Sequence, residues 1–157
     1  DKLGGTFGDD MKQMALALTG CGLPLALAMP MWLRLRRTAL LCELAGSVRA
    51  IEVDPIWVER SRKSLSALGY ANAQIFLGDG RLGDYDHAPY DAIILHMAVP
   101  YVRPALLDQL AVGARLVAPV GAGVQELLVY EADTQGAKLV ETLFPVRFVA
   151  ARSRDQS

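Results

Sequence analysis

Cysteine and histidine are scarce in this sequence, which contains two of each among its 157 residues. Cys21 and Cys42 are too few for a disulfide scaffold or for a cysteine-based metal cluster. The sequence therefore predicts no metal site, and it favours a reducing compartment in which both cysteines are small buried hydrophobes. The chain also lacks an obvious catalytic pair of His or Cys residues.

An excess of one charge and a long apolar run are missing as well. The net charge is -1 and no long basic run occurs, so the phosphate backbone of a nucleic acid is not the expected partner. The apolar stretch from Leu23 to Leu33 is too short to span a bilayer and is interrupted by Pro24 and Pro30. With 52% hydrophobic and 21% charged residues, the chain is typical of a globular soluble domain.

The segment from Ser47 to Gly80 has the pattern of a strand–helix–strand unit. Val48 to Val53 predicts a strand, and Ala73 to Leu77 predicts a second one. Between them, Pro55 to Leu68 predicts a helix that begins at proline after the capping residue Asp54. Such a unit has a right-handed crossover and parallel strands.

An acidic residue lies at or just after the end of each of these two strands. Glu52 lies at the end of the first strand, and Asp79 follows the second within Gly78-Asp79-Gly80. Ligands of open parallel sheets bind at the carboxyl ends of the strands. Because an acid at a strand end can accept hydrogen bonds from both hydroxyls of a ribose, the pattern suggests a cofactor that contains a nucleoside.

The other elements are predicted from periodicity and turn residues. Strands are expected at Tyr90–Leu95, Arg115–Val120, Gln125–Glu131 and Lys138–Val149, and helices at Met11–Leu18, Thr38–Ala45 and Pro104–Leu110. The stretch from Leu23 to Arg37 fits either a strand or a poor amphipathic helix. Alternating strands and helices followed by a terminal hairpin predict an α/β fold with a mostly parallel sheet and antiparallel strands at one edge.

Eight segments between Thr38 and Val149 carry a resemblance to a known family. They are Ala50-Ile-Glu52-Val-Asp54-Pro, Leu68-Gly69-Tyr70-Ala-Asn72, Gly78-Asp79-Gly80, Ala88-Pro89-Tyr90-Asp91-Ala-Ile-Ile94, Pro104-Ala-Leu-Leu-Asp-Gln-Leu110, Gly113-Ala-Arg-Leu-Val117, Pro119-Val-Gly121 and Leu143-Phe-Pro-Val-Arg-Phe-Val149. In this order they resemble the protein-L-isoaspartate O-methyltransferase family. The resemblance implies a Rossmann-like class I methyltransferase fold. We expect residues 1–157 to form one such domain, shortened at its N-terminal end relative to the family.

The resemblance also implies a reaction and a set of contacts. S-adenosyl-L-methionine would be the methyl donor, and the acceptor would be the carboxylate of an L-isoaspartyl residue in a damaged protein or peptide. By family analogy Glu52 holds the ribose hydroxyls, and Asp79 with Gly80 lies beside the adenine. No catalytic residue is assigned, because an ionised carboxylate needs no strong base. Family analogy further suggests a cytoplasmic monomer that binds neither nucleic acid nor membrane.

One stretch departs from the family pattern. Before the helix near Thr38 the family carries a strand and a glycine-rich turn, whereas this chain has no glycine between Leu23 and Ala45. The family's Thr-Ile-Ser segment has only a weak counterpart in Thr6-Phe7-Gly8, which lacks the last hydroxyl. Residues 21–37 are either a genuine divergence or a stretch translated out of frame. The coding DNA distinguishes the two, because the codons of residues 33–35 read one nucleotide later must give Ser, Gly and Tyr if the frame has shifted.

Two alternative functions follow from this departure. Beside isoaspartyl methylation, the alternatives are a methyltransferase-like module that binds without catalysis and a class I methyltransferase that acts on a small molecule. Four further side chains are interpreted conservatively. His96 is expected at a pocket rim or in packing, His87 in solvent, Trp57 in packing, and Arg147 as a solvated edge charge.

Overall fold

The computed structural model describes residues 30–151, and it describes side chains from Arg37 onward. The predicted helix Met11–Leu18, the segment Thr6-Phe7-Gly8 and Cys21 lie outside the described residues. Residues 37–151 belong to one compact unit. Within the described range, neither the length nor the apolar character of any helix suffices for a bilayer crossing.

Strands and helices alternate through the first two thirds of the described chain, and three strands follow. The elements are α1 (Pro30–Leu44), β1 (Val48–Glu52), α2 (Pro55–Ala67), β2 (Ala73–Leu77), a 3₁₀ turn (Tyr85–His87), β3 (Tyr90–Ile94), α3 (Pro104–Leu107), β4 (Leu110–Val120), β5 (Gln125–Asp133) and β6 (Gly136–Val146). This order confirms the predicted α/β architecture, including the antiparallel pair at the C-terminal side.

Helix α1 resolves the ambiguous stretch before Thr38. Residues 30–36 are helical and continuous with the predicted helix that follows them. Proline is accepted at the first position of a helix, and no glycine interrupts the residues after it. A helix therefore occupies residues 30–36, where the family resemblance would have led to a glycine-rich turn.

Helix α2 forms as the sequence predicts. The Asp54 Oδ1 atom accepts a hydrogen bond from the Ile56 backbone N–H at 2.9 Å, and Pro55 occupies the first turn. Val58 and Leu65, two turns apart, are buried on the face that packs against the strands. The chain leaves the helix through Gly69, whose φ of 85° suits glycine.

Strand β4 begins five residues earlier than the sequence suggests. Its first residue Leu110 pairs with Tyr90, and the register then shifts so that Ala92 pairs with Arg115. Gly113, with a φ of 84°, lies within the irregular part. Helix α3 is correspondingly shorter than predicted, because Leu110 joins the strand ladder instead of the helix.

The strands form two hydrogen-bonded sheets. β1 pairs with β2 in parallel, and Glu52 lies opposite Leu77. In the second sheet β3 and β4 are parallel, whereas β4–β5 and β5–β6 are antiparallel. Between residues 30 and 151 no strand joins β1 to β3 by backbone hydrogen bonds.

Side chains connect the two sheets across this break. The Arg49 guanidinium on β1 donates from Nη2 to Asp84 Oδ2 at 2.7 Å and from Nε to the same oxygen at 3.1 Å. It also lies over the Phe76 ring, 4.1 Å from the centroid. The hydrogen bonds from Arg49 lower the pKa of Asp84, although burial acts in the opposite direction. The loop before β3 is thereby fastened to β1.

The core of the larger sheet lies between its strands, α3 and the segment after β3. Its buried members are Leu95, Val99, Val102, Leu106, Leu110, Ala114, Leu116, Ala118 and Ala132. The polar side chain of Gln109 is completely buried. Its amide donates to the Leu82 and Ala105 carbonyl oxygens and accepts from the Asp84 backbone N–H, at 2.7 to 2.8 Å.

Replacing Gln109 with leucine tests how much this buried amide contributes. The variant keeps the size of the side chain but leaves the Asp84 N–H and the Leu82 and Ala105 carbonyls without their partner. We expect the free energy of unfolding in urea to fall by about 2–4 kcal/mol, because buried polar groups that lose their partners are costly. Gln135→Leu, in the exposed turn before β6, should change it by less than about 0.5 kcal/mol. Equal effects of both substitutions would contradict this role for Gln109.

Candidate functional site

Glu52 ends β1 at the carboxyl edge of the smaller sheet. Its carbonyl oxygen accepts from the Gly78 N–H at 3.0 Å, so the chain leaving β2 stays beside it. The Glu52 Oε1 atom accepts from the backbone N–H groups of Val53 and Asp54, at 3.0 and 3.2 Å. The turn into α2 therefore orients this carboxylate at the edge where ligands of parallel sheets bind.

Asp79 lies two residues beyond the end of β2. Its carboxylate accepts from Arg81 Nη2 at 2.6 Å, from Arg81 Nε at 2.9 and 3.0 Å, and from the Arg81 backbone N–H at 2.9 Å. The hydrogen bonds from the Arg81 side chain lower the pKa of Asp79, burial opposes them, and the charge of Arg103 adds to the lowering. Asp79 is consequently ionised at neutral pH.

Gly80 brings the loop after β2 against the loop after β3. A Cβ atom at this position would lie 2.9 Å from Met97 Cε, closer than such atoms normally approach. The preceding glycine, Gly78, is similarly close to Ile51 Cγ2, at 3.0 Å. The absence of side chains at these two positions allows the loops at the carboxyl edge to stay close together.

A small open cleft lies beside this loop. Its walls are the side chains of Leu95, Val99, Val102, Leu106, Arg81 and Arg103, with Pro100 and Tyr101 at the same cleft. Glu52 and Asp79 do not line it, but Arg81, the partner of Asp79, does. The candidate site thus has two adjoining parts, the carboxyl edge of β1 and β2 and the cleft next to Asp79.

Sequence reasoning did not identify this cleft. Arg81 lies in the loop between β2 and β3 and Arg103 precedes the proline of α3, so neither belongs to a recognisable motif. Their proximity arises from folding, because Arg103 is close enough to influence the ionisation of Asp79. No spacing in the chain signals a contact between these positions.

The remaining candidates lie mostly where the sequence suggests. The Arg60 guanidinium lies over the ring of Trp57, 5.3 Å from its centroid, and Arg147 is exposed. His87 is half exposed, but its Nδ1 atom is also 2.9 Å from Arg49 Nη2. Cys42 is buried, and this burial raises the pKa of its thiol.

His96 lies two residues after the end of β3, at the carboxyl edge of the larger sheet. Burial of its imidazole lowers the pKa of His96 to about 4, and the charge of Arg37 acts in the same direction. The side chain is therefore neutral at pH 7. Within the range that the structure describes, no group of three or more His, Cys, Asp or Glu side chains is arranged to hold a metal ion.

Comparison with known proteins identifies a consistent set of relatives. The family model described as protein-L-isoaspartate(D-aspartate) O-methyltransferase matches residues 36–156. The protein-L-isoaspartate O-methyltransferase of Anaeromyxobacter dehalogenans is 45% identical over 116 residues, which are 72% of this chain and 56% of that protein. Protein-L-isoaspartate O-methyltransferase 2 of Syntrophobacter fumaroxidans is 39% identical over 115 residues, 72% of this chain and 47% of that protein. The chain spans about half the length of the curated relatives it matches.

Solved structures agree on the fold. A protein-L-isoaspartate O-methyltransferase superposes with a TM-score of 0.61 at 23% identity, covering 69% of this chain and 35% of that one. A beta-aspartate methyltransferase from Plasmodium falciparum, in complex with S-adenosyl-L-homocysteine, gives a TM-score of 0.58 at 19% identity, covering 78% of this chain and 60% of that one. These similarities confirm the expected Rossmann-like methyltransferase fold.

The low pKa of His96 predicts a pH dependence of stability. In the folded chain His96 stays neutral down to about pH 4, whereas in the unfolded chain it takes up a proton near pH 6.5. Between these values the unfolded state binds more protons, so the free energy of unfolding falls as the pH is lowered. The lowered pKa values of Asp79, Asp84 and Asp133 act mainly below their ordinary value of 3.8 and add little at pH 4.5.

The measurement is urea unfolding at pH 7 and at pH 4.5. We expect the unmodified chain to lose about 2 kcal/mol over this range, since one pKa unit corresponds to about 1.4 kcal/mol. His96→Gln should lose clearly less, because the titrating group is gone. An unchanged pH slope in His96→Gln would rule out His96 as the source.

Proposed function

We propose, because the chain belongs to the protein-L-isoaspartate(D-aspartate) O-methyltransferase family, that it transfers a methyl group from S-adenosyl-L-methionine to the carboxylate of L-isoaspartyl residues in damaged proteins. The observation that supports this most directly is the pairing of β1 with β2. Their register brings Glu52 beside the loop that carries Asp79 and Gly80. Family membership and this edge of the sheet indicate the same cofactor.

The residues present fit the adenosyl half of that cofactor. We assign Glu52 to the ribose hydroxyls, because its carboxylate is an acceptor whose orientation is set by two backbone N–H groups. Asp79 and Gly80 are assigned to the side of the adenine. Asp79 is held rigidly by Arg81, and Gly80 keeps the loop close to Met97.

Little proton chemistry is required of the protein in this reaction. The bound cofactor would supply an electrophilic methyl group on a sulfonium whose leaving group is already good. The accepting carboxylate is ionised at neutral pH, so the chain has to align the reactants and exclude water, which can lower a barrier by about 7–11 kcal/mol. A neutral His96 is compatible with this demand, because no general base is needed.

The direct test is transfer of a radiolabelled methyl group to a peptide. We expect label in a peptide that contains one L-isoaspartyl residue and none in the same peptide with normal aspartate. The work-up is kept mildly acidic, because in the family the methyl ester collapses without the enzyme to a succinimide, and this cyclisation, which neutral or alkaline pH promotes, releases the label as methanol. Equal labelling of both peptides would contradict isoaspartyl specificity.

A second candidate function is a methyltransferase-like module that binds without catalysis. The observation that favours it is the helix at residues 30–36, which occupies the position of the family's glycine-rich turn. Calorimetry with S-adenosylhomocysteine tests whether the chain binds the cofactor at all. Binding without methyl transfer to any isoaspartyl peptide indicates either this module or a methyltransferase for a small molecule, and no heat at millimolar ligand favours a module that does not use the cofactor.

We propose that the chain acts as a monomer in the cytoplasm. Its partners would be isoaspartyl proteins or peptides, and not nucleic acid or membranes. The near-zero net charge supports the exclusion of nucleic acid. The buried thiol of Cys42 is compatible with a reducing compartment.

Glu52→Gln tests the assignment of the ribose contact. The amide keeps the shape of the side chain but loses the charge that strengthens hydrogen bonds from hydroxyl groups. We expect the Kd for S-adenosylhomocysteine, measured by calorimetry, to rise by about 10- to 100-fold. Glu59→Gln, an exposed substitution on α2, is the matched control and should change it less than twofold. Unchanged affinity in Glu52→Gln would remove Glu52 from the site.

A further inference from the structure

We infer that the cleft beside Asp79 binds a second carboxylate of the peptide substrate, with Arg103 as its partner. This inference rests on the proposed function, because it concerns the peptide that carries the isoaspartyl residue. The methylated carboxylate is the first anion of that substrate. The second belongs to an acidic residue near it or to the C-terminus of the peptide.

Arg103 is a cation that forms no salt bridge with any acidic side chain among residues 37–151. Its side chain lines the cleft and is only partly exposed. Among residues 37–151 its guanidinium makes neither a hydrogen bond nor an ion pair, although its charge reaches Asp79. A guanidinium presents five N–H donors in a fixed fork that matches a carboxylate. A partly buried fork of this kind is suited to an incoming anion.

The charges around the cleft leave one positive charge in excess. The negative charge of Asp79 is balanced by Arg81, whose Nε and Nη2 atoms donate hydrogen bonds to its carboxylate. Arg103 adds a second positive charge to the same cleft, and none of the described residues that line it is acidic. An anionic group entering the cleft would therefore meet a favourable field that low-dielectric walls strengthen.

The walls of the cleft are apolar and fixed by the sheet. The Leu95 N–H donates to the Val117 carbonyl at 2.9 Å, and the Val99 N–H donates to the Pro119 carbonyl at 3.0 Å. Both side chains are buried, which anchors the segment after β3. The aliphatic stem of a glutamate could lie against such walls while its carboxylate reaches the guanidinium. Tyr101, exposed at the cleft, provides an aromatic surface for the peptide.

The reacting carboxylate itself is a poor occupant for this position. A guanidinium that binds a carboxylate bidentately engages both oxygens and stabilises their negative charge. An oxygen that attacks a methyl group must keep a lone pair available, so such a clamp would weaken it as a nucleophile. Arg103 is accordingly a residue that determines specificity and binding, and it takes no part in the transfer step.

The test compares three fluorescein-labelled isoaspartyl peptides that differ in their second carboxylate. One has an amidated C-terminus and glutamine near the isoaspartyl residue, one replaces this glutamine by glutamate, and one keeps glutamine but has a free C-terminal carboxylate. Binding is measured by fluorescence anisotropy with S-adenosylhomocysteine present, so the readout does not depend on methyl transfer. Arg103→Gln, Arg103→Lys and the exposed control Arg60→Gln are compared with the unmodified chain.

We expect at least one of the acidic peptides to bind about tenfold more tightly than the glutamine amide, as a charge-assisted hydrogen bond allows. The peptide that binds more tightly shows whether the second carboxylate comes from a glutamate side chain or from the C-terminus. Arg103→Gln should reduce the preference to less than twofold, Arg103→Lys should restore part of it, and Arg60→Gln should keep it. Unfolding in urea checks that each variant is folded.

Three results overturn the inference. Equal binding of all three peptides overturns it and leaves the proposed function intact, provided that isoaspartyl peptides still bind better than aspartyl ones. A preference that survives in Arg103→Gln overturns the role of Arg103. If no peptide binds and none is methylated, the inference and the proposed function fail together.

Discussion

The hydrogen bonds around Asp84 hold the described part of the molecule together. Its carboxylate binds Arg49 of β1, its backbone N–H binds the buried Gln109 next to β4, and its carbonyl accepts from the Tyr90 hydroxyl of β3. One loop residue thus joins two sheets that share no backbone ladder in the described range. Because these contacts are largely withdrawn from water, they are stronger than surface ion pairs of the same geometry.

This junction determines how the loops at the carboxyl edge are arranged. The loop that contains Asp79, Gly80 and Arg81 runs from β2 to Asp84, so it is fixed at both ends. It meets Met97 on one side and forms a wall of the cleft on the other. A site built on such a loop is preorganised, which matters for a reaction that relies on alignment of its reactants.

The departure from the family pattern has a structural counterpart. The chain matches the family model from residue 36 onward, and the residues just before it are helical. Among residues 30–47 there is neither a strand nor a glycine-rich turn, and within the part of the chain that the structure describes no strand joins β1 to β3. The departure seen in the sequence therefore coincides with a helix at residues 30–36.

The sequence by itself determined the order of elements, the cap and proline of α2, and the assignment of Glu52 and Asp79 to strand ends, because these depend on local periodicity and turn residues. It left residues 23–37 undecided between helix and strand, since a short apolar run fits both. Only the tertiary structure decided that Arg103 approaches Asp79, that Gln109 is buried, and where the register of β4 shifts. Such contacts join residues far apart in the chain, and no local pattern encodes which of many exposed or polar side chains will meet after folding.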